Sequence, residues 1–135
     1  MGNLTPVSFG LILIAITLGS FGQICLKQGL SGAKALLAGS PVQTIANVLH
    51  AAANPYVLAG LSLYIISTFF WLIVLSRVRL SVAYPMISIG YILVVILSSL
   101  ILHERVDWRF AGAGLLFITI GVSFIGFGLG QAGAR

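Results

Sequence analysis

Acidic residues are nearly missing from this chain: 135 residues include two, Glu104 and Asp107, against seven lysines and arginines. Both lie close together between apolar runs, so no carboxylate stands inside hydrocarbon to carry a proton or a cation. Charged residues of either sign make up 7%, where a soluble domain has about a quarter. The one cysteine, Cys25, falls within an apolar run, which excludes an internal disulfide and a cysteine metal pair. Polar segments are too short to hold a core of their own, which excludes a catalytic head or a nucleic-acid-binding module. No nucleophile has a paired base, so the chain reads as a non-enzyme without a cofactor, a catalytic residue or a metal site. The opening Met1-Gly2-Asn3-Leu4-Thr5-Pro6 has no basic segment and no myristoylation signal, so the first apolar run reads as a retained span.

What fills the chain instead is apolar: 59% of the residues, with a mean hydropathy of +1.15. This is the composition of an integral membrane protein. Four runs reach the length of about 20 helical residues that a bilayer core requires. They predict an all-α, multi-pass domain with spans at about 7–28, 55–75, 82–102 and 110–129. In the one long connection, Ser40-Pro41 reads as an N-cap followed by a first-turn proline. Val42, Ile45, Ala46 and Leu49 then recur at helical spacing, which predicts a short amphipathic helix in the interface, ending near Asn54-Pro55. The connections Ser76 to Ser81 and His103 to Arg109 are tight, so neighbouring spans run antiparallel.

Polar residues inside the spans fall on stripes. Gly19, Gln23 and Lys27 are spaced i, i+4, i+8 on the first helix, with Ser20 beside them. Lys27 either faces a polar groove or snorkels from the last turn, where the helix dipole favours a cation. The second span carries Gly60, Tyr64, Ser67 and Trp71, and the third Ser81, Tyr84, Ser88, Tyr91 and Ser98, with Pro85 and Gly90 alongside. Hydroxyls at mid-depth need partners, so these stripes face inward. Ser67, Ser88 and Ser98 read as glue between helices, whereas Trp71, Tyr84 and Tyr91 read as a cavity wall. The fourth span holds Gly114, Gly121 and Gly128 at intervals of seven, and Gly126 with Gly130, a face on which a second chain packs closely. In the last connection, His103, Glu104, Arg105, Asp107 and Arg109 form an interfacial charge cluster, where Glu104 and Asp107 are expected to bridge to Arg105 and Arg109.

Three elements together resemble the drug/metabolite transporter superfamily in its four-helix form. They are Leu80-Ser-Val-Ala-Tyr-Pro-Met-Ile-Ser88, Leu102-His-Glu-Arg-Val106 and the glycine-rich last helix. Within that superfamily the chain, including Gly22-Gln23-Ile-Cys-Leu-Lys27, is most similar to the small subunits of the undecaprenyl-phosphate-aminoarabinose flippase. The resemblance covers nearly everything except the long first connection. It implies paired four-helix chains, identical or paralogous and often antiparallel, in the bacterial inner membrane, and a sugar-bearing polyprenyl phosphate as substrate. Gln23, Lys27, Tyr64, Trp71, Tyr84, Ser88 and Tyr91 are the candidate substrate contacts, and Gly114, Gly121 and Gly128 the candidate dimer interface. The related small multidrug-resistance transporters depend on a first-helix glutamate eight residues before a lysine that matches Lys27; this chain has Gly19 there. The departure disfavours export of small amines and favours a lipid carrier. A different class, a non-transporting assembly subunit, requires no accessible polar cavity.

Basic residues divide almost evenly between the two membrane sides, with Arg77, Arg79 and Arg135 on one and Lys27, Lys34, Arg105 and Arg109 on the other. That leaves almost no positive-inside bias, so the chain is expected to insert either way round or to take its orientation from a partner. Adding two lysines beside Arg79 should lock one orientation, read by a reporter fused at Arg135. A single orientation of the unmodified chain expressed alone would replace dual insertion with a fixed arrangement.

Overall fold

The computed structural model describes residues 5–31 and 40–132. Lys34 and Arg135 of the charge count lie outside these residues, as do the surroundings of Gly126 and Gly130. The described residues form helices α1 (Pro6–Leu30), α2 (Pro41–Ala52), α3 (Pro55–Arg77), α4 (Leu80–Met86), α5 (Ser88–Ile101) and α6 (Trp108–Ala132). α1, α3, α4 with α5, and α6 give four segments long and apolar enough to cross a membrane.

Local chemistry sets the helix starts. Thr5 caps α1 by accepting from the Ser8 N–H at 3.2 Å, and Pro6 occupies a position whose N–H has no intrahelical partner. Ser40 and Gln43 form a reciprocal capping box on α2, and Asn54 accepts from the Tyr56 N–H at 2.9 Å to open α3. Asp107 opens α6: its carboxylate accepts from the Arg109 N–H at 3.0 Å, a negative charge at the positive end of the helix dipole. α2 buries no residue, and Val42, Ile45 and Leu49 are uncovered by protein, as a helix lying in the interface requires.

The third span is not the continuous helix over 82–102 that its hydropathy suggests. Pro85 lacks an N–H and cannot continue the i→i−4 ladder, and the chain breaks at Ile87 between α4 and α5. Short-range bonds cross the break: Ile87 N–H to the Tyr84 carbonyl at 3.0 Å and Gly90 N–H to the Ile87 carbonyl at 2.7 Å. The Ser88 hydroxyl donates to the Pro85 carbonyl at 2.7 Å. In a bilayer such a repair is obligatory, since no water reaches the freed groups.

α1 and α3 pack antiparallel in intimate contact. A methyl at Gly60 would lie 2.8 Å from both the Gly22 carbonyl and the Leu26 nitrogen, and one at Gly22 would lie 3.0 Å from the Gly60 carbonyl. Backbone therefore meets backbone at this crossing, the approach that small residues permit between membrane helices. α5 packs on α1 in parallel, with Gly90 against Ile16. The core, formed by Ile12, Ile16, Val74, Val78 and Ala83, sits where α1, α3 and α4 meet. α6 touches only α4 and α5 appreciably, and Phe110, Phe117, Phe124 and Phe127 stand mostly uncovered. Gly114, Gly121 and Gly128 have open space before them, so their face packs against nothing among the described residues.

Gly60→Leu should force α1 from α3 and lower the stability of the monomer by about 1–3 kcal/mol or more, the range for overpacking a tight contact. Gly112→Leu on α6, where nothing lies within 4 Å of the added carbon, should leave it unchanged. Denaturant titration in bicelles measures both.

Candidate functional site

α3 and α5 both lean on α1 and make little direct contact with each other. Between them lies a cavity of about 360 Å³, lined by Ala15, Gly19, Ser20 and Gln23 on α1, by Tyr64, Ser67, Thr68 and Trp71 on α3, and by Gly90, Tyr91, Val94 and Val95 on α5. Ile16 and Ile87 complete the wall. Tyr64 and Tyr91 are half-exposed, which leaves the mouth open to the side between α3 and α5. No charged side chain is among these lining residues.

Most of the wall is apolar, and part of its polar complement is already engaged. Ser67 donates to the Ala15 carbonyl of α1 at 2.7 Å, and Thr68 donates to the Tyr64 carbonyl at 2.8 Å. Ser67 also fills the space over Gly19, where an added methyl carbon would lie 3.0 Å from its hydroxyl oxygen. The Ser20 hydroxyl and the Gln23 amide lie on the cavity wall one helical turn apart. With the Tyr64 and Tyr91 hydroxyls they are the polar groups the cavity offers to a guest, and the flat face of Trp71 suits a sugar or an isoprenoid equally.

Of the residues the stripes single out, the fold brings Gln23, Tyr64, Trp71 and Tyr91 together in this cavity. Tyr84 and Ser88 do not line it. The break at Ile87 interrupts the stripe on which they were read: Ser88 is buried and turned back across the break to the Pro85 carbonyl of α4, and Tyr84 packs edge-on against Trp71 with ring centroids 6.2 Å apart. Ser67 acts as the interhelical glue expected of it, whereas Ser98 donates within its own helix, to the Val95 carbonyl at 3.0 Å. Thr68, Val94 and Val95 escaped the sequence reading because an ordinary apolar or back-bonded residue carries no signal of facing a cavity.

Lys27 lies outside the lining, one turn beyond Gln23, with 65% of its side chain uncovered. Its ammonium is 3.6 Å from a Glu104 carboxylate oxygen, and this is the one ion pair among the described residues. The expected bridges of Glu104 and Asp107 to Arg105 and Arg109 are therefore corrected. Glu104 reaches across to α1, and Asp107 contacts Arg109 through the backbone as a helix cap. His103, at φ 53°, occupies the left-handed region after α5, and the Glu104 N–H turns back to the Ser98 carbonyl at 3.3 Å. The chain thus folds back over the last turn of α5, with histidine in the left-handed position that glycine usually takes. Sequence spacing could not reveal a pair between the first helix and the last connection.

If the cavity is open to solutes, single cysteines at Gln23 and Thr68, both uncovered on the cavity wall, placed in a Cys25→Ala background, should react with a small thiol reagent in nanodiscs. A cysteine at the buried Ser88 position should stay protected. Equal protection at all three would favour the assembly-subunit reading.

No protein-family model matches the chain, and no solved structure matches it significantly. Curated relatives do. A protein of Enterobacter sp. (strain 638) is 31% identical over 124 residues, covering 89% of this chain and 97% of its own length. One of Pectobacterium atrosepticum is 34% identical over 116 residues, covering 86% and 95%. Both are named as subunit ArnE of the 4-amino-4-deoxy-L-arabinose-phosphoundecaprenol flippase. A Shewanella sediminis protein named as subunit ArnF of that flippase is 29% identical over 135 residues, covering 93% of this chain and 92% of its own. Similarity along the full length to both subunit types, on a fold of four membrane-crossing segments, shows that this chain belongs to the family of 4-amino-4-deoxy-L-arabinose-phosphoundecaprenol flippase subunits.

Proposed function

We propose that residues 1–135 form one transmembrane unit that moves an undecaprenyl-type phosphate bearing an aminosugar across the bacterial inner membrane, without covalent chemistry. The observation that carries this reading is a side-open, uncharged cavity ending one turn from an exposed lysine. Moving a bare phosphate charge into hydrocarbon costs on the order of tens of kcal/mol, so the headgroup needs a path that replaces water. Lys27 meets the phosphate at the membrane edge. Ser20, Gln23, Tyr64 and Tyr91 replace water around the sugar, and the prenyl tail stays in lipid through the gap between α3 and α5.

A small-amine exporter needs a carboxylate facing its cavity, and the lining supplies none. A single chain forms one wall of the path, and a second completes it. The names of the relatives fall on two subunit types, which supports a paralogous partner over a second copy. The uncovered α6 face of Gly114, Gly121 and Gly128, interleaved with Phe110, Phe117 and Phe124, supports docking through α6, in either relative orientation.

Lys27→Ala should weaken binding of a short-chain polyprenyl phosphate to the protein in zwitterionic nanodiscs by about 1.5 kcal/mol, roughly tenfold in Kd. Lys27→Arg should retain part of the affinity, since it keeps the charge and changes the geometry. Equal binding by the parent and Lys27→Ala, with folding checked separately, would remove the phosphate role.

A further inference from the structure

Lys27 has neighbours that explain where its charge rests but not why the pairing takes this form. Arg105 is adjacent to Glu104 in sequence and Arg109 is one turn on, yet Glu104 pairs with neither and reaches Lys27 on another helix. The pair is loose: 3.6 Å exceeds the length of a good charge-assisted hydrogen bond, and the side chains are 65% and 45% uncovered. An exposed ion pair of this kind contributes little to stability, so a structural strut is a poor account of it. The backbone beneath the carboxylate, by contrast, is firmly set. His103 takes a left-handed conformation that only glycine adopts without strain, and the Glu104 N–H is tied to the Ser98 carbonyl. A turn tied back to α5 thus presents a carboxylate to an exposed ammonium.

We propose that Glu104 is a resident counter-ion for Lys27, displaced when a phosphate anion arrives and restored when it leaves. The proposal rests on the reading that Lys27 receives phosphate. Its consequence is selectivity. A membrane surface is crowded with phospholipid phosphates, and an unpaired lysine at the edge of α1 would be occupied by any of them. With Glu104 in place, an anion must compete with a tethered carboxylate. A lipid that also fills the cavity beyond Gln23 can do so, and one offering only charge cannot. The recognised chemistry is a lipid-borne phosphate, from a polyprenyl carrier or an ordinary headgroup.

The test measures Kd for a short-chain polyprenyl phosphate and, separately, for phosphatidylglycerol, with full-length protein in zwitterionic nanodiscs at low salt. Glu104→Gln removes the charge and keeps the shape, and should tighten anion binding roughly 2–5-fold, a gain that shrinks as salt screens the site. The double variant Lys27→Ala with Glu104→Gln should bind no better than Lys27→Ala alone. A gain for phosphatidylglycerol that exceeds the gain for polyprenyl phosphate supports a filter against ordinary lipids. An equal or smaller gain overturns the filter, while the displacement of Glu104 by phosphate stands. Glu104→Ala serves as a second variant if the amide perturbs folding, and denaturant stability is followed for both. If Lys27→Ala weakens binding but neither Glu104 variant tightens it, or if the gain survives without Lys27, the counter-ion role is overturned and the phosphate role of Lys27 stands. If Lys27→Ala changes nothing, the phosphate reading itself fails.

Discussion

The contact of α1 with α3 at Gly22 and Gly60 is the constraint on which the rest of the molecule depends. Because neither residue carries a side chain, carbonyl and amide groups of the two helices nearly touch, and the register between the helices follows. That register puts the Ser67 hydroxyl beneath the Ala15 carbonyl and over Gly19, so part of the cavity floor is main chain. The neighbouring face of α1, at Ile16 and Ser20, receives α5 through Gly90. Two helices held against a third, and barely against each other, leave a space between them that no side chain is large enough to close.

Polarity is distributed along this frame in a definite order. The core of Ile12, Ile16, Val74, Val78 and Ala83 closes one end, the uncharged cavity occupies the middle, and the Lys27–Glu104 pair marks the other end. Formal charge is thus kept out of mid-membrane, where it is most expensive, and placed where water and headgroups reach it. The cavity works with neutral donors and acceptors instead, which suits hydroxyl-rich or isoprenoid matter. It gives no opposite charge to a cation.

Much of this was legible in the sequence, because long apolar runs and helix caps are local signals. Ser40 with Pro41 and Asn54 with Pro55 mark the starts of α2 and α3, and the stripe through Gln23, Tyr64, Trp71 and Tyr91 marks the cavity. What escaped depends on events between helices. Periodicity treats the third span as one rod, so it could not anticipate that the break after Pro85 would turn Ser88 away and leave Tyr84 as a buttress of Trp71. Glycines of α6 attracted attention by their regular spacing, while the close helix contacts form between α1 and α3 at Gly22, Gly29 and Gly60. The partner of Glu104 came from the far end of the chain, where residue spacing carries no information.

The fit of Ser67 over Gly19 constrains how this scaffold can change over generations. The resemblance to drug exporters suggests a short evolutionary step, one codon turning Gly19 into an acid. Here the first carbon of any new side chain would meet the Ser67 hydroxyl at 3.0 Å, so that hydroxyl must shift and its bond to the Ala15 carbonyl weaken, although the carbonyl keeps its partner within α1. A smaller or rotated side chain at position 67 would make room for the acid. The residues at positions 19 and 67 are therefore coupled across two helices, and a change of charge on the cavity face of α1 is felt first by the hydroxyl that joins α3 to it.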